Sequence, residues 1–367
     1  MPDGDLTRFP DGRRRLLVDG YYVDWKRGIG RYVRELLYGL HQFAPGVELH
    51  VAAPSGAARF AAAIPNACVH ELPHWPFPAW EQLVFPRFAR RLGPHIVHAP
   101  YNTFPLQSLG GARLVVTVHD LMFLDPNFRP MGQRQRLGRM YRSFIVQQAR
   151  RRTLQVTTMT QQVAGEIDAR LGIRAPIHRT SVSHFVDGAR APVAGLPDRY
   201  MLHVGGAAHH KNTPATVAAF LRGAPQDVAL VVAGIAADHP IATRWRSERV
   251  LFPGWISDGQ LLSLYDGAEA VLFPSLMEGY GLPVLEAMAC GTPVVTSNRA
   301  PMSELAGGAA LLVDPEDPDA LASAIQRIGQ DGRLRTRLAC LGRRRANDFT
   351  AARMADALRA IYAGGET

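Results

Sequence analysis

The sequence predicts an α/β protein of two Rossmann-like halves, each a parallel sheet covered by helices. Three observations predict it. A length of 367 residues corresponds to about two domains at roughly 150 residues each. Short β-branched runs alternate with longer helical patterns from end to end, as parallel strands joined by crossover helices do. A stretch near 186–199, rich in Gly, Pro and Ala, lacks periodicity and reads as a boundary.

In the first half the strand candidates are Leu16–Val18, Glu48–Ala52, Ile96–His98 and Leu114–Val118, with helices at Tyr32–Phe43 and Gln133–Arg151. The second half offers strands at Met201–Val204, Ala229–Ala233, Ala270–Phe273 and Pro293–Thr296. Its helices are expected at Pro214–Leu221, Asp258–Tyr265, Pro283–Ala289 and Ala320–Arg327. The domains are drawn as 1–190, joined by a returning C-terminal helix in 349–367, and 198–348. Several strands end in Gly, His or Asp, and open parallel sheets bind ligands at their carboxyl ends, so a cleft between the halves is the expected site.

Composition narrows the function classes. Apolar residues make up 47% and charged residues 20%, which excludes a disordered chain. No run approaches the roughly 18 apolar residues of a spanning helix. The polar start Met1-Pro2-Asp3-Gly4-Asp5 has no signal core, and a cytoplasmic protein is expected. Cys68, Cys290 and Cys340 have neither metal spacing nor the makings of a disulfide framework. The net charge of +9 is unevenly placed: residues 1–190 hold 25 Lys+Arg against 14 Asp+Glu, and 191–367 hold 16 against 18. The halves, at +11 and −2, therefore face different partners. Only Lys26 and Lys211 interrupt the use of Arg, both beside Gly-containing loops where a compact ammonium and a planar fork do different work.

The segment Phe273–Val295 is the most informative. A strand ends at Phe273, Gly279 and Gly281 follow in a loop, Pro283 suits a first helical turn, and Gly291 ends the helix. Free N–H groups at such a helix start favour an anion. Glu278 in the loop and Glu286 one turn in are carboxylates able to accept from sugar or ribose hydroxyls. In Leu202–Pro214, Gly205 and Gly206 end a strand and Lys211 precedes a helix that Asn212 or Thr213 is expected to cap; the ammonium could neutralise a leaving diphosphate. His209 and His210 have no third ligand and read as ordinary surface residues. His119 and Asp120 end the buried run Val115–Val118; His119 either meets a substrate or is a core histidine satisfied by backbone. Gly28 and Gly30 open a helix after the first strand, a weak Gly-x-Gly signal. Arg129–Arg152 contains eight arginines and no acid among Met131, Leu137, Met140, Tyr141, Phe144, Ile145 and Val146, the pattern of either an anionic-membrane face or a solvated helix. No nucleic-acid motif accompanies that charge. Asp317-Pro318-Asp319 reads as a helix N-cap rather than a metal site.

The segment from Glu278 to Glu286 within Pro-Ser-Leu-x-Glu-Gly-Tyr-Gly-Leu-Pro resembles the retaining GT-B glycosyltransferases of the large family 4. Gly254-Trp-Ile-Ser-Asp, Ala289–Val295, Ser303–Pro315, Gly28-Ile-Gly30-Arg-Tyr and Val116–Leu121 extend the resemblance over nearly the whole chain. It implies a GT-B architecture in which the C-terminal helix Met354–Tyr362 crosses back to the first domain. It also implies a nucleotide-sugar donor held mainly by the second half. Lys211 would then hold the diphosphate and Glu286 the ribose. Glu278 with the backbone of Gly279, Tyr280, Gly281 and Leu282 would hold the sugar. The Gly254–Ile256 backbone would lie near the base. Gly205 and Gly206 would border the diphosphate, Gly206 standing where relatives often carry Arg. His119 would approach the transferred sugar, and Gly28 and Gly30 would line the cleft. The implied activity is metal-independent transfer, with retention, of a hexose (mannose from GDP-mannose above others) onto a saccharide or lipid-linked saccharide of a bacterial surface glycan. The alternatives are a UDP-, ADP- or dTDP-sugar donor, or a catalytically silent partner that binds saccharide or membrane.

Overall fold

Near-continuous runs of Val, Leu and Ile suit strands buried on both faces, and in the computed structural model such runs form two six-stranded parallel sheets. The structure describes residues 14–25, 28–57, 67–126 and 132–364, so Lys26 and, in the arginine stretch, Arg129 and Met131 lie outside the described residues. The chain divides into two units, Met1–Ser181 with Thr350–Thr367, and Val182–Phe349.

The first sheet consists of β1 (Arg14–Asp19), β2 (Val47–Pro54), β3 (Cys68–Leu72), β4 (Ile96–Ala99), β5 (Arg113–Thr117) and β6 (Gln155–Thr157), in the order β3-β2-β1-β4-β5-β6. The second consists of β7 (Tyr200–Val204), β8 (Ala229–Ala233), β9 (Val250–Gly254), β10 (Val271–Phe273), β11 (Val294–Ser297) and β12 (Leu311–Val313), in the order β12-β11-β10-β7-β8-β9. Both orders place the unit's first strand beside its second and its fourth. The connections leave in opposite directions there and open a crevice at the strand ends.

The helices are α1 (Gly28–Phe43), α2 (Phe85–Leu92, entered through a π-turn at Trp80–Val84), α3 (Gln133–Gln147), α4 (Gln161–Leu171), α5 (Ser183–Val186), α6 (Thr213–Gly223), α7 (Pro240–Trp245), α8 (Asp258–Gly267), α9 (Leu282–Cys290), α10 (Met302–Ala306), α11 (Pro318–Gln330), α12 (Gly332–Ala346) and α13 (Ala351–Ala363). Local chemistry sets several starts. Ser257 and Gln260 form a capping box on α8. Asp317 caps α11 by accepting from the N–H groups of Asp319 and Ala320. Among the described residues, no helix is long and apolar enough to cross a membrane.

The second unit starts before the Gly/Pro/Ala-rich stretch rather than after it, because that stretch is bound to it. The Phe185 ring meets Tyr265 edge-on at 6.3 Å, Arg190 donates to Asp266 at 2.9 Å, and Ala191 N–H donates to Gly259 O at 3.1 Å. The last helix, α13, belongs to the first unit. Its Tyr362 hydroxyl begins a buried chain of hydrogen bonds that crosses the sheet. The links run to His98 Nδ1 (2.6 Å), His98 Nε2 to Thr117 (2.8 Å), Thr117 to Tyr32 (2.9 Å), Tyr32 to His178 Nε2 (2.7 Å) and His178 Nδ1 to Thr157 (2.8 Å).

Candidate functional site

In the second unit the loops after β7 and β10 leave neighbouring strands at the switch point and are fastened to each other. The first loop turns through a single 3-10 turn, His209–Lys211, and His210 O accepts from Leu276 N–H at 2.8 Å. Lys211 Nζ donates to both carboxylate oxygens of Glu278, at 2.8 and 3.1 Å, and lies 5.3 Å from the centre of the Phe273 ring. The pair is largely shielded, with Lys211 25% and Glu278 11% exposed at the side chain. Two residues given separate roles by the sequence therefore form one unit. Gly279 follows in the same loop, Tyr280 is buried, and Gly281 takes φ +105° as the N-cap of α9, where Leu282 begins the helix. An anion at this point would find a cation on one loop and the positive end of the α9 dipole on the other.

Glu286 is entirely buried on α9, and the Tyr265 hydroxyl donates to its Oε2 at 2.8 Å. Ribose contact therefore requires the carboxylate to be uncovered. Gly205 and Gly206 follow β7 directly. A Cβ on Gly205 would sit 2.7 Å from the His203 ring and 2.9 Å from Thr213 Oγ1, so only glycine fits this close approach. His203 Nδ1 donates to Leu272 O at 2.8 Å and its Nε2 faces the Thr213 hydroxyl at 3.0 Å. A Cβ on Gly206 would press on Lys211 Cγ at 3.2 Å. Ile256 is half-buried just past β9, next to the exposed Trp255.

Asn212 corrects the sequence reading. It occupies the N-cap position of α6 with φ 56° but makes no side-chain cap bond. Its amide instead donates to Pro274 O at 3.1 Å and Pro315 O at 2.8 Å, stapling the loops after β7, β10 and β12. Sequence reasoning missed this role because Asn before Thr-Pro looks like a cap; the available signal was Asn's tolerance of the left-handed region. Asn212→Ala leaves two buried carbonyls unsatisfied and strains a left-handed backbone, and should destabilise the protein by about 3 kcal/mol. Asn212→Gly, free of that strain, should recover about 1 kcal/mol of it, both read from denaturant midpoints.

The first unit has its own switch point, after β1 and β4. His119 lies just beyond β5 and is 8% exposed. Its N–H donates to Asn102 Oδ1 at 2.6 Å, and its Nε2 donates to Pro100 O at 2.8 Å, so the backbone-satisfied alternative describes its ring. Tyr32 meets the ring edge-on at 4.7 Å. Burial holds the His119 pKa below the usual range, keeping the imidazole neutral. Asp120 accepts from Met122 N–H at 3.1 Å in a local turn. Gly28 opens α1, and Gly30 is a packing glycine, since a Cβ there would fall 2.0 Å from Trp25 O. Sequence reasoning also missed two buried acids near β1. Asp19 accepts from Trp80 Nε1 at 3.0 Å, and Glu81 accepts from Thr103 at 2.6 Å and from Tyr141. Burial raises both carboxyl pKa values to about 7. Among the described residues, no cluster of three His, Cys, Asp or Glu could hold a metal ion.

Comparison with known proteins falls on the same two units. The model for "Glycosyl transferases group 1" matches residues 191–345, and that for "Glycosyltransferase Family 4" matches 26–182. The O-antigen chain mannosyltransferase B of Escherichia coli is 40% identical over 28% of this chain and 26% of its own. The O-antigen chain mannosyltransferase RfbU of Salmonella typhimurium is 25% identical over 64% of this chain and 65% of its own. The matched stretch thus spans less than two thirds of either relative. Among solved structures, WaaG, a glycosyltransferase involved in lipopolysaccharide biosynthesis, superposes with a TM-score of 0.70 at 16% identity, covering 95% of this chain and all of its own. With a family 4 match on one Rossmann-type unit and a group 1 match on the other, the chain belongs to the GT-B glycosyltransferases of family 4.

Proposed function

We propose that the chain transfers a hexosyl group, with retention of configuration, from a nucleoside-diphosphate sugar to a saccharide acceptor, and that the donor is GDP-mannose. The observation that carries this reading is the Lys211–Glu278 pair, 2.8 and 3.1 Å, on the two loops that meet at the second sheet's switch point. On donor binding Lys211 exchanges its carboxylate partner for the diphosphate, and sugar hydroxyls take the ammonium's place on Glu278. The anomeric C–O bond to the diphosphate breaks, the acceptor oxygen bonds to the same face, and its proton passes to the leaving diphosphate oxygen. The protein's share of the work is positioning and charge stabilisation. Lys211 and the start of α9 supply the positive potential that the leaving group needs, which makes a metal ion unnecessary in this reading. Glu286 takes the ribose once uncovered. The mannosyl assignment rests on the names of the curated relatives.

A thermal-shift panel of GDP-, UDP-, ADP- and dTDP-sugars tests this reading. GDP-mannose at about 100 times its Kd should add about 2.7 kcal/mol of stability, and Lys211→Ala should abolish the shift. A shift with another nucleotide series alone would replace the donor assignment and leave transfer standing. No shift with any donor would overturn the proposal.

A further inference from the structure

We infer that the first unit docks on an anionic lipid bilayer through the outer face of α3. Leu137, Met140 and Phe144 stand in solvent at 66%, 68% and 58% exposure. At 100° per residue they fall within about 60° of arc, a single apolar stripe two turns long. Arg134 and Arg136, both exposed, flank it on opposite sides. The sequence has no acidic residue between Asp125 and Glu166. Other side chains of the helix are committed inward. Arg139 donates to Phe123 O and Asp125 O at 2.9 and 2.8 Å, and Arg142 lies 5.5 Å over the Phe123 ring. Tyr141 donates to Glu81 and accepts from Gln82 at 2.9 Å, which fixes the helix with its stripe outward. The segment bonded in this way, residues 75–91, has a similar surface. Trp75 and Leu83 are 49% and 38% exposed beside a groove of about 250 Å³ that Arg87 and Arg91 also line.

Positive charge alone does not mark this face. Helix α12 has six arginines and no acid, yet of its large apolar side chains Leu341 alone is exposed, at 36%. Two of its cations, Arg335 and Arg345, donate to backbone carbonyls. What distinguishes α3 is the apolar stripe between cations, which calls for a partner with an acidic surface over an apolar interior. A second copy of the chain fits poorly, because it would bring the same arginines together.

The inference stands apart from the transfer reaction and is tested without a donor, by co-sedimentation with phosphatidylcholine vesicles containing or lacking phosphatidylglycerol. Binding should rise at least about ten-fold with the anionic lipid. It should fall about ten-fold in Arg134→Gln/Arg136→Gln, and at least as far in Leu137→Ser/Met140→Ser/Phe144→Ser. All these positions are exposed, so circular dichroism melts of the variants should match the parent. Equal binding to both vesicles, or an unchanged apolar triple variant, would overturn the inference. So would self-association that the triple variant abolishes in a protein that ignores vesicles, which would assign the stripe to a second copy.

Discussion

Replacing Lys211 with alanine is expected to lower kcat/KM for the donor by about 10²–10³-fold, the usual loss when one pre-placed positive group at a developing negative charge is removed. The ammonium donates to both Glu278 oxygens and is held in place by loops 67 positions apart, so its position does not depend on a flexible surface rotamer. Truncation also strands Glu278, which is 11% exposed, at a cost of about 1–3 kcal/mol in stability. Lys211→Arg keeps the charge, but its planar fork does not fit a point-charge site and should recover only part of the activity. Glu278→Gln keeps the shape while releasing the ammonium, and should damage use of the sugar more than affinity for the free nucleoside diphosphate. Because the two side chains act as one unit, the double variant should be far less impaired than the product of the single effects. Steady-state kinetics on the four proteins decides it. Independent, multiplicative losses would show that the two side chains act separately on the bound donor rather than as a coupled pair.

The eight strands that the sequence picked out are the interior strands of the two sheets; β3, β6, β9 and β12, which it did not name, are all edges. The reason is burial. Interior β1 and β8 bury continuous apolar runs, whereas β3 reads Cys-Val-His-Glu-Leu and is mostly exposed or half-buried. An edge strand keeps one side in solvent and loses the hydrophobic run that gives an interior strand away. Helix α9 was legible because Pro283 and Gly291 punctuate it.

The candidate site was legible where chemistry is carried by residue type and obscure where it depends on packing. Lys211 stood out in a chain that otherwise uses Arg, and Glu278 stood out in a glycine loop. Their contact could not be read, since it depends on two strands being neighbours in a sheet. Glu286 read as a carboxylate open to ribose hydroxyls, and its burial against Tyr265 comes from α8, 21 positions away. Gly30 read as part of a weak Gly-x-Gly signal, and in the fold the carbonyls of Tyr22 and Trp25 leave no room for a side chain there. Asp19 and Glu81 gave no signal because neither belongs to a motif; β1 and the π-turn simply deliver both to the inside of the unit.

Those two acids oppose the buried histidines when pH falls, and the contest sets the second large expectation. His98 is pushed down to about 3 and His178 well below its usual range, chiefly by burial; His119 is lowered too. Each takes up a proton on unfolding below its unfolded value near 6.5, so the stability each contributes is complete above pH 6.5 and drains as pH falls, by about 1.4 kcal/mol per unit. Asp19 and Glu81 work in the other direction. With folded values near 7, they hold a proton that the unfolded chain releases, so acidification from pH 7 to about 4.5 restores about 1.4 kcal/mol per unit for each. The buried histidines oppose the two carboxyls and outnumber them, so the first unit should lose stability as pH falls through this range. Below about pH 4 the unfolded carboxylates are protonated as well, the opposition ends, and the loss should steepen. Asp19→Asn/Glu81→Gln should bring the steep regime up to pH 4.5–6.5, whereas His98→Asn should flatten the wild-type slope. Denaturant unfolding at a series of pH values measures both. An unchanged slope in the acid-free variant would mean that the two carboxyls are ionised in the folded protein, and that acid stability depends on the histidines alone.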